Sequence, residues 1–367
     1  MPETRGRAVG TVATPGGEER RGLWLGVAAY VMWGLFPLYW PHLKPAGAVE
    51  ILAHRMVWSL VFMLLVLAVL RRWSWIRVLL RDRARLAKIV VAGIVITANW
   101  GLYIWGVNSH QVVETSLGYF INPLAFIAIG VLVLGERLRN AQWVAVGLGV
   151  AAVVVLTVAY GRLPWLALVL ATSFTIYGYV KKTVGLAPTE SLTAETAVMF
   201  LPTAGYLAYL SWTGEGTLGT VSVGHTLLLL GTGIVTAIPL LCFGAATVRV
   251  PLSTIGMLQY LGPILQFSVG VWIDHEEMPG SRWAGFGLIW GALVVLSADA
   301  LRQSRQTRRA LARSAAVPAA SLPADTVAVN PIAVNPVAVN PIAVAPVAAE
   351  PVAEAPVRPE PEPEPTV

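Results

Sequence analysis

Long apolar runs separated by short polar segments dominate the first 300 residues of the chain. A helix that crosses a bilayer needs about 20 mostly apolar residues. Ten runs approach this length, near residues 22–40, 48–70, 88–108, 112–134, 141–160, 164–181, 194–212, 225–247, 251–273 and 281–300. The segments between them are too short to fold as domains. The pattern therefore predicts an all-α integral membrane protein with ten transmembrane helices.

Lysine and arginine are distributed unevenly between the predicted segments. If the amino terminus lies inside, 22 of the 26 basic residues fall on inner segments and three, Lys44, Arg162 and Arg282, on outer ones. Cytoplasmic loops of membrane proteins carry such an excess of Lys and Arg. The asymmetry predicts that both termini are cytoplasmic. Because the basic residues sit between apolar runs, the net charge of +6 does not indicate nucleic-acid binding.

The overall composition narrows the class of protein further. Hydrophobic residues make up 56% of the chain and charged ones 13%, whereas soluble globular proteins carry about 25% charged residues, so an ordinary soluble enzyme is excluded. The single Cys242 lies in an apolar run, and no two of the five histidines have the H-x-x-x-H spacing. Nucleotide-binding loops and nucleophile triads are missing from the sequence as well. We therefore expect no metal, no cofactor and no enzyme activity.

The two ends of the chain differ from the apolar region. Residues 1–21 form a polar amino-terminal segment, and residues 301–367 are rich in Pro, Ala and Val. From Pro331 to Pro356 a proline recurs every five residues. Because such a composition cannot build a packed core, we expect an extended, disordered cytoplasmic tail.

An internal repeat relates the two halves of the apolar region. A shift of 140 residues places Pro123 on Pro263, Trp143 on Trp283 and Glu136 on Glu276 without gaps. The units, 22–160 and 164–300, hold five predicted spans each. Because five is odd, the second unit enters the membrane in the opposite direction, as in many secondary transporters. The alternative is a duplicated scaffold without transport activity, such as a membrane enzyme.

Two prolines lie near the middle of corresponding spans, Pro123 in the fourth and Pro263 in the ninth. A proline inside a helix removes one N–H and leaves the carbonyl four residues back without its donor. We therefore expect a helix break at both positions. Paired interruptions in corresponding segments indicate the substrate site of a transporter. The alternative is a simple packing kink.

Three ionisable residues lie close together in the second predicted span. Glu50 and His54 share one helix face, and Arg55 lies about 100° round the helix, roughly 10 Å from the outer edge. A charge at the bilayer centre costs about 2.5–3.5 kcal/mol on insertion scales. One interpretation is that Arg55 binds an anionic group of a substrate, while Glu50 and His54 orient it or carry a proton. The alternative is that Glu50 and Arg55 neutralise each other.

Other polar residues within the predicted spans are further candidates for substrate binding. Glu114 and Asn122 fall on one stripe of the fourth span and are expected to line a polar cavity. An asparagine in a membrane helix can instead join two helices, with a contribution of about 0.6–2 kcal/mol. The remaining candidates are Asn99, Tyr103, Tyr177, Gln259 and Tyr260.

Several longer motifs resemble one known family. They are W-G-L-F-P-L-Y at 33–39, E-I-L-A-H-R-M-V-W-S at 50–59, N-W-G-L-Y-I-W-G-V-N at 99–108, S-L-G-Y-F-I-N-P-L at 116–124, G-E-R-L at 135–138 and G-M-L-Q-Y-L-G-P at 256–263. Residues 22–300 resemble the RarD family, an EamA-like branch of the drug/metabolite transporter superfamily. The resemblance implies two five-helix repeats in the bacterial inner membrane. It also implies a permease, traditionally associated with chloramphenicol sensitivity, for substrates that are poorly defined.

The sequence thus predicts a secondary transporter for small metabolites or drugs. We expect an exporter that works by alternating access, with Glu50 or Glu114 as the candidate proton carrier. The alternative is an integral-membrane enzyme or receptor without transport activity. That alternative would require a polar catalytic cluster at an interface or a sizeable domain outside the membrane.

Overall fold

The computed structural model describes residues 15–71, 73–135 and 137–315. All regular secondary structure in these ranges is helical, and a short 3-10 turn, Trp40–Leu43, joins α2 to the next segment. The helices are α1 Pro15–Gly34, α2 Phe36–Tyr39, α3 Ala48–Leu70, α4 Ser74–Arg81, α5 Arg83–Asn108, α6 Val112–Leu134, α7 Asn140–Tyr160, α8 Trp165–Val184, α9 Pro188–Thr213, α10 Val223–Thr247, α11 Leu252–Leu258, α12 Leu261–Trp272 and α13 Gly280–Ala315.

Several of these helices can cross a membrane. In the described part of the chain, six are long and apolar enough: α3, α5, α6, α7, α10 and α13. The pair formed by α1 and α2 with its 3-10 turn, bent by 44°, would be a seventh. The prediction of an all-helical, multi-pass membrane protein is confirmed. The count of ten stays a prediction, because α11 and α12 have only 7 and 12 residues and α9 carries many polar side chains.

The ends of the helical region differ from their predicted positions. The first helix begins at Pro15, within the predicted amino-terminal segment 1–21. The last helix continues to Ala315, because residues 301–315 consist largely of the good helix formers Ala, Arg, Leu and Gln and contain no proline. The prolines from Pro331 onward lie outside the described residues, as do residues 1–14 and Glu136.

The segment between α3 and α5 contains a short helix that the apolar runs did not predict. In α4, Leu79 is buried while Val78 and Leu80 are exposed, and Arg77 and Arg81 lie on the same eight-residue helix. Arginines and apolar side chains divided between helix faces are typical of helices that lie in the membrane interface.

The helices pack in pairs that correspond to each other in the two halves of the chain. Three pairs join equivalent helices: α3 with α9, α6 with α12, and α7 with α13. Other pairs correspond to each other through the 140-residue shift. The contact of α5 with α8 corresponds to that of α10 with α1, and the contact of α3 with α10 corresponds to that of α9 with α5.

Two glycines at positions related by the 140-residue shift lie at two of these helix contacts. A Cβ on Gly233 of α10 would lie 2.3 Å from the backbone carbon and oxygen of Trp58 in α3. A Cβ on Gly93 of α5 would lie 3.2 Å from the backbone oxygen of Glu195 in α9. Small residues let the backbones of membrane helices approach in this way. The first contact has no room for even one methyl group.

We expect the Gly233→Ala variant to be less stable than the wild type by about 1–3 kcal/mol, the usual cost of overpacking. The matched control is Gly147→Ala on α7, where an added Cβ meets nothing within 4 Å. That control should be neutral or more stable by roughly 0.5–1 kcal/mol, because alanine favours the helix. Thermal unfolding of both variants in detergent measures the difference. A Gly233→Ala protein as stable as its control would contradict the packing described for α3 and α10.

Candidate functional site

Arg55 is a buried cation with few hydrogen bonds. Its residue is 3% exposed, and its Nε donates a hydrogen bond of 2.9 Å to the Thr236 hydroxyl of α10. The Nη1 atom is buried and has no hydrogen-bond partner among the described residues. No ion pair within these residues includes Arg55. The guanidinium therefore keeps unused donors in the interior of the protein.

Aromatic rings from three separate segments surround this guanidinium. Its central carbon lies 3.9 Å from the ring centroid of Trp100 in α5, 5.2 Å from Trp40 in the 3-10 turn and 5.6 Å from Phe36 in α2. Desolvated cation–π contacts of this kind contribute about 2 kcal/mol or more. The bend after α1 is what places Phe36 and Trp40 beside α3.

Two tyrosines complete the surroundings of Arg55. Tyr103 and Tyr119 both interact electrostatically with its guanidinium, and their rings meet edge to face with centroids 5.7 Å apart. The Tyr103 hydroxyl is buried without a hydrogen-bond partner among the described residues. Tyr103 was predicted as a site residue, whereas the ring of Tyr119 was not. The group formed by Arg55, Phe36, Trp40, Trp100, Tyr103 and Tyr119 is called the Arg55 site below.

Glu50 and His54 point away from this site and have partners of their own. The Glu50 carboxylate accepts hydrogen bonds from the backbone N–H and the hydroxyl of Thr217, at 2.7 and 2.9 Å. It lies 4.0 Å from Nε2 of His54, and Trp58 Nε1 donates to His54 Nδ1 at 3.2 Å. The alternative in which Glu50 and Arg55 neutralise each other is therefore wrong: they lie on different sides of α3.

A small cavity adjoins Glu50 and His54. It has a volume of about 150 Å³ and is also lined by Ser211 of α9 and by Gly216 and Thr220 of the following loop. A cavity of this size holds a group about as large as benzene, or several water molecules. The Nε2 atom of His54 is buried and has no hydrogen-bond partner among the described residues. This end of α3 therefore offers one acid and one free imidazole nitrogen to a small polar group.

The Glu114 carboxylate, which is predicted to line a polar cavity, has partners of its own. Its carboxylate forms an ion pair of 2.7 Å with Arg162 and accepts a hydrogen bond of 3.2 Å from the backbone N–H of Leu166. Leu166 lies in the first turn of α8, where helical N–H groups lack partners within the helix. Farther along the same stripe, a Cβ on Gly118 would lie 2.9 Å from the backbone oxygen of Ala167. The stripe therefore packs against α8.

The two predicted asparagines differ in their hydrogen bonds. Asn99 donates to the Leu170 carbonyl at 3.0 Å and to the Ser173 hydroxyl at 2.8 Å, so that it joins α5 to α8. Asn122 is buried, and its Oδ1 has no partner among the described residues. Of the two interpretations offered for Asn99, the contact between helices is the one that its hydrogen bonds support.

The two prolines have different effects on their helices. Helix α6 continues through Pro123 without interruption, so the break predicted there is wrong. One lost hydrogen bond does not end a helix that packs on both α8 and α12. In the second half, the chain is interrupted at Gln259 and Tyr260, between α11 and α12. The carbonyl of Gln259 is the one that Pro263 leaves without a donor.

The remaining candidates lie in two separate places. The Tyr260 side chain forms hydrogen bonds with Gln259 and with Ser297 of α13. Tyr177 of α8 donates to the Glu195 carboxylate of α9 at 3.1 Å. The sequence analysis missed Glu195 because it falls at the edge of the seventh predicted run, 194–212, whereas α9 begins at Pro188 and places it well inside the helix. The 140-residue shift, which relates position 55 to position 195, was the signal that could have found it.

Comparison with known proteins identifies the family. The sequence profile of the EamA-like transporter family matches residues 20–158. Protein RarD of Streptomyces exfoliatus is 60% identical, over 81% of this chain and 95% of its own. Protein RarD of Escherichia coli K12 is 39% identical, over 80% and 99% respectively. The chain belongs to the RarD family of EamA-like transporters. It is therefore a multi-pass membrane transporter with small-molecule substrates.

Two further comparisons complete this picture. The chloramphenicol-sensitive protein RarD of Pseudomonas aeruginosa is 30% identical, over 79% of this chain and 98% of its own. One solved protein structure matches this RarD-family chain with a TM-score of 0.52 at 18% identity, over 77% of this chain and 98% of that one, which shows the fold alone. The relatives are transporters rather than enzymes, in agreement with the expectation of no enzyme activity.

In this RarD-family chain, a loop of the second half holds the start of a helix of the first half. The Glu276 carboxylate, between α12 and α13, accepts the Val113 N–H of α6 at 3.1 and 3.2 Å. Beside it, His110 Nδ1 lies 2.8 Å from an oxygen of Asp274. Burial raises the pKa of Glu276 from its ordinary value of 4.5 to about 7, although the hydrogen bond from Val113 opposes the shift.

We expect Glu276 to make the protein less stable as the pH rises. A carboxyl group whose pKa is raised by folding stabilises the folded state fully at a pH below its unfolded pKa. This contribution to the free energy of unfolding, up to about 3 kcal/mol, is lost as the pH rises through the folded pKa of about 7. Glu276→Gln keeps an acceptor for Val113 without the charge. It should therefore melt higher than the wild type at about pH 8 and at nearly the same temperature at about pH 4.

Thermal unfolding in detergent across this pH range tests the expectation. Glu277→Gln is the matched control, because it changes the neighbouring exposed carboxyl. If the curves of the wild type and Glu276→Gln stay parallel over the whole range, the assignment of the shift to Glu276 is wrong.

Proposed function

We propose that this RarD-family member is a secondary transporter that exports small amphipathic anions by alternating access, with Arg55 binding their anionic group. The observation that supports the proposal is the state of Arg55: buried, ringed by aromatic side chains, without a carboxylate partner in the described part of the chain, and with Nη1 free.

The energetic cost of such an arginine favours a function for it. Removing an ion from water costs several kcal/mol, which a partner of opposite charge must offset. A substrate carboxylate can supply that charge and accept two parallel hydrogen bonds from the guanidinium. The rings of Trp40, Trp100 and Phe36 offer an apolar surface to the rest of the molecule. The arrangement therefore fits a substrate with a carboxylate and an apolar body.

Alternating access requires two halves that exchange roles. We place the protein in the bacterial inner membrane with ten spans, two inverted repeats at 22–160 and 164–300, and both termini in the cytoplasm. The matched packing pairs of helices support the repeats. The corresponding contacts of Gly93 and Gly233 support them as well. The excess of Lys and Arg on the predicted inner segments supports the orientation.

The first prediction concerns Arg55 and uses benzoate as the simplest aromatic carboxylate. In proteoliposomes, wild-type protein should exchange labelled benzoate for benzoate trapped inside. Arg55→Ala should lose this exchange, because removing one partner of a buried charge pair costs about 3–5 kcal/mol, or roughly 10²–10⁴-fold in affinity. Arg55→Lys should lie between them, since lysine keeps the charge but not the planar pair of donors.

Arg77→Ala, which removes an exposed arginine of α4, is the matched control and should exchange benzoate as the wild type does. Full exchange by Arg55→Ala would refute the role of Arg55. Metabolites that differ between cells with and without the gene extend the panel of anions. Chloramphenicol, which is neutral, is tested beside the anions because of the name of the Pseudomonas aeruginosa relative, which we extend to this chain as a hypothesis.

Proton coupling is the second part of the proposal, and Glu50 is the candidate carrier. Its carboxylate borders the cavity beside the free Nε2 of His54, whereas Glu114 is held by Arg162 and Leu166. We expect Glu50→Gln to change the pH dependence of benzoate transport, because glutamine cannot carry a proton. Thr217→Val, which removes only the hydroxyl that contacts Glu50, should keep the pH dependence. An unchanged pH profile in Glu50→Gln would exclude this role.

A further inference from the structure

A second buried acid lies at the contact between α8 and α9. Glu195 is 1% exposed. Its carboxylate accepts hydrogen bonds from the Ser191 hydroxyl at 2.6 Å and from the Tyr177 hydroxyl at 3.1 Å. Lys181 Nζ lies 3.4 Å from the same carboxylate. Unlike Arg55, Glu195 therefore has a complete set of partners in this conformation.

We propose that Glu195 is a proton-binding site, which takes up a proton when Lys181 moves away from it during the transport cycle. This inference rests on the proposed function, because it assigns the Arg55 site and Glu195 to the same cycle. The step itself is the addition of a proton from water to the carboxylate, while the Lys181 ammonium keeps its own.

Lys181 and Tyr177 give Glu195 a route to water. The Lys181 side chain is 22% exposed, whereas that of Glu195 is 1% exposed. Its ammonium also donates to the Tyr177 hydroxyl, which lies between it and Glu195. When the Lys181 ammonium moves away, water can take its place beside the Tyr177 hydroxyl. The hydroxyl then accepts a proton from this water and gives its own proton to Glu195. Lys181 keeps its proton, and no wide opening between α8 and α9 is needed.

Aromatic side chains connect Glu195 to the Arg55 site. The ring of Tyr177 lies 6.1 Å from that of Phe174, which lies 6.1 Å from Tyr119. Tyr119 interacts electrostatically with Arg55. If Tyr177 moves when Glu195 changes its charge, the movement therefore reaches the Arg55 site through Phe174 and Tyr119, whose rings pack in series. These contacts provide a physical basis for coupling the two sites.

The internal repeat gives a second, independent reason. Position 195 follows position 55 by the same 140 residues that relate the two halves, and their helices α9 and α3 pack on each other. One position holds a cation and the other an anion. When the halves exchange roles, an anionic substrate on Arg55 and a proton on Glu195 each neutralise one of two equivalent buried charges. The two related positions therefore provide one site for an anion and one for a proton.

The groups that face Glu195 come from each neighbouring helix. Among the described residues, Tyr177 and Lys181 of α8 are the titratable groups that contact it, and Ser191 on α9 is neutral. Helix α5 meets it through the backbone at Gly93, and α3 contributes no ion pair to it within the described residues. Its charge therefore depends mainly on Lys181.

Infrared titration of the protein in lipid tests proton binding without a substrate. The titration uses the Glu276→Gln background, because Glu276 is itself expected to be protonated below about pH 7. This protein should show a C=O stretch of a protonated carboxyl that is lost as the pH rises, and the added Glu195→Gln change should remove the band. Glu190→Gln is the matched control, because it changes the acid in the first turn of the same helix, and it should keep the band. A band that is unchanged in Glu195→Gln overturns the proposal.

Transport measurements test the coupling. Glu195→Gln should retain exchange of labelled for unlabelled benzoate, which moves no net proton. It should lose the benzoate accumulation driven by a pH gradient that exceeds the passive accumulation in protein-free liposomes. If wild-type protein shows no exchange, the proposed function fails, while the infrared result still decides whether Glu195 binds a proton. Should Glu195→Gln not fold, Tyr177→Phe replaces it. Slower proton uptake by Tyr177→Phe would support the proposal, and an unchanged rate would overturn it.

Discussion

The centre of this protein is built around an arginine that has no acid beside it. An unpaired guanidinium in a lipid-embedded core destabilises the folded protein, and the surrounding segments reduce this free-energy penalty. Helix α10 supplies one hydroxyl, while α2, the 3-10 turn and α5 supply aromatic rings. These groups stabilise the cation without neutralising it. The charge therefore stays available to an anion, and the bend after α1 and the close approach of α3 and α10 both serve to hold this arrangement.

Other charged residues have a different role because their carboxylates already have ion-pair or hydrogen-bond partners within the protein. Glu114 joins Arg162 to the start of α8, and Glu276 holds the start of α6. In both cases a carboxylate accepts backbone N–H groups that a helix terminus leaves unpaired. Such residues fasten helix ends to each other. The buried ionisable groups therefore fall into two classes according to their hydrogen bonds. Arg55 and His54 each have a polar atom without a partner among the described residues, whereas Glu114 does not.

Much of the candidate site could be predicted from the sequence, but unevenly. Arg55 could be predicted as a site residue because a charge within a membrane helix carries a free-energy cost and usually marks a functional position. Helical spacing tells which residues share a face and not which neighbour covers that face. The ion pair of Glu114 with Arg162 and the continuity of α6 through Pro123 could therefore not be predicted. Glu195 was missed because a row of Ser, Thr and Glu residues at the start of α9 hides the beginning of an otherwise apolar helix.

The sequence by itself determined the class of protein, the approximate position of every long helix and the family. These properties follow from local hydrophobicity and from motifs of neighbouring residues, which need no knowledge of packing. Only the tertiary structure decided which polar groups meet. Arg55 bonds to a residue 181 positions away, and Glu50 to one 167 positions away. A contact across such separations depends on how whole helices pack, and no pattern within a single helix specifies that.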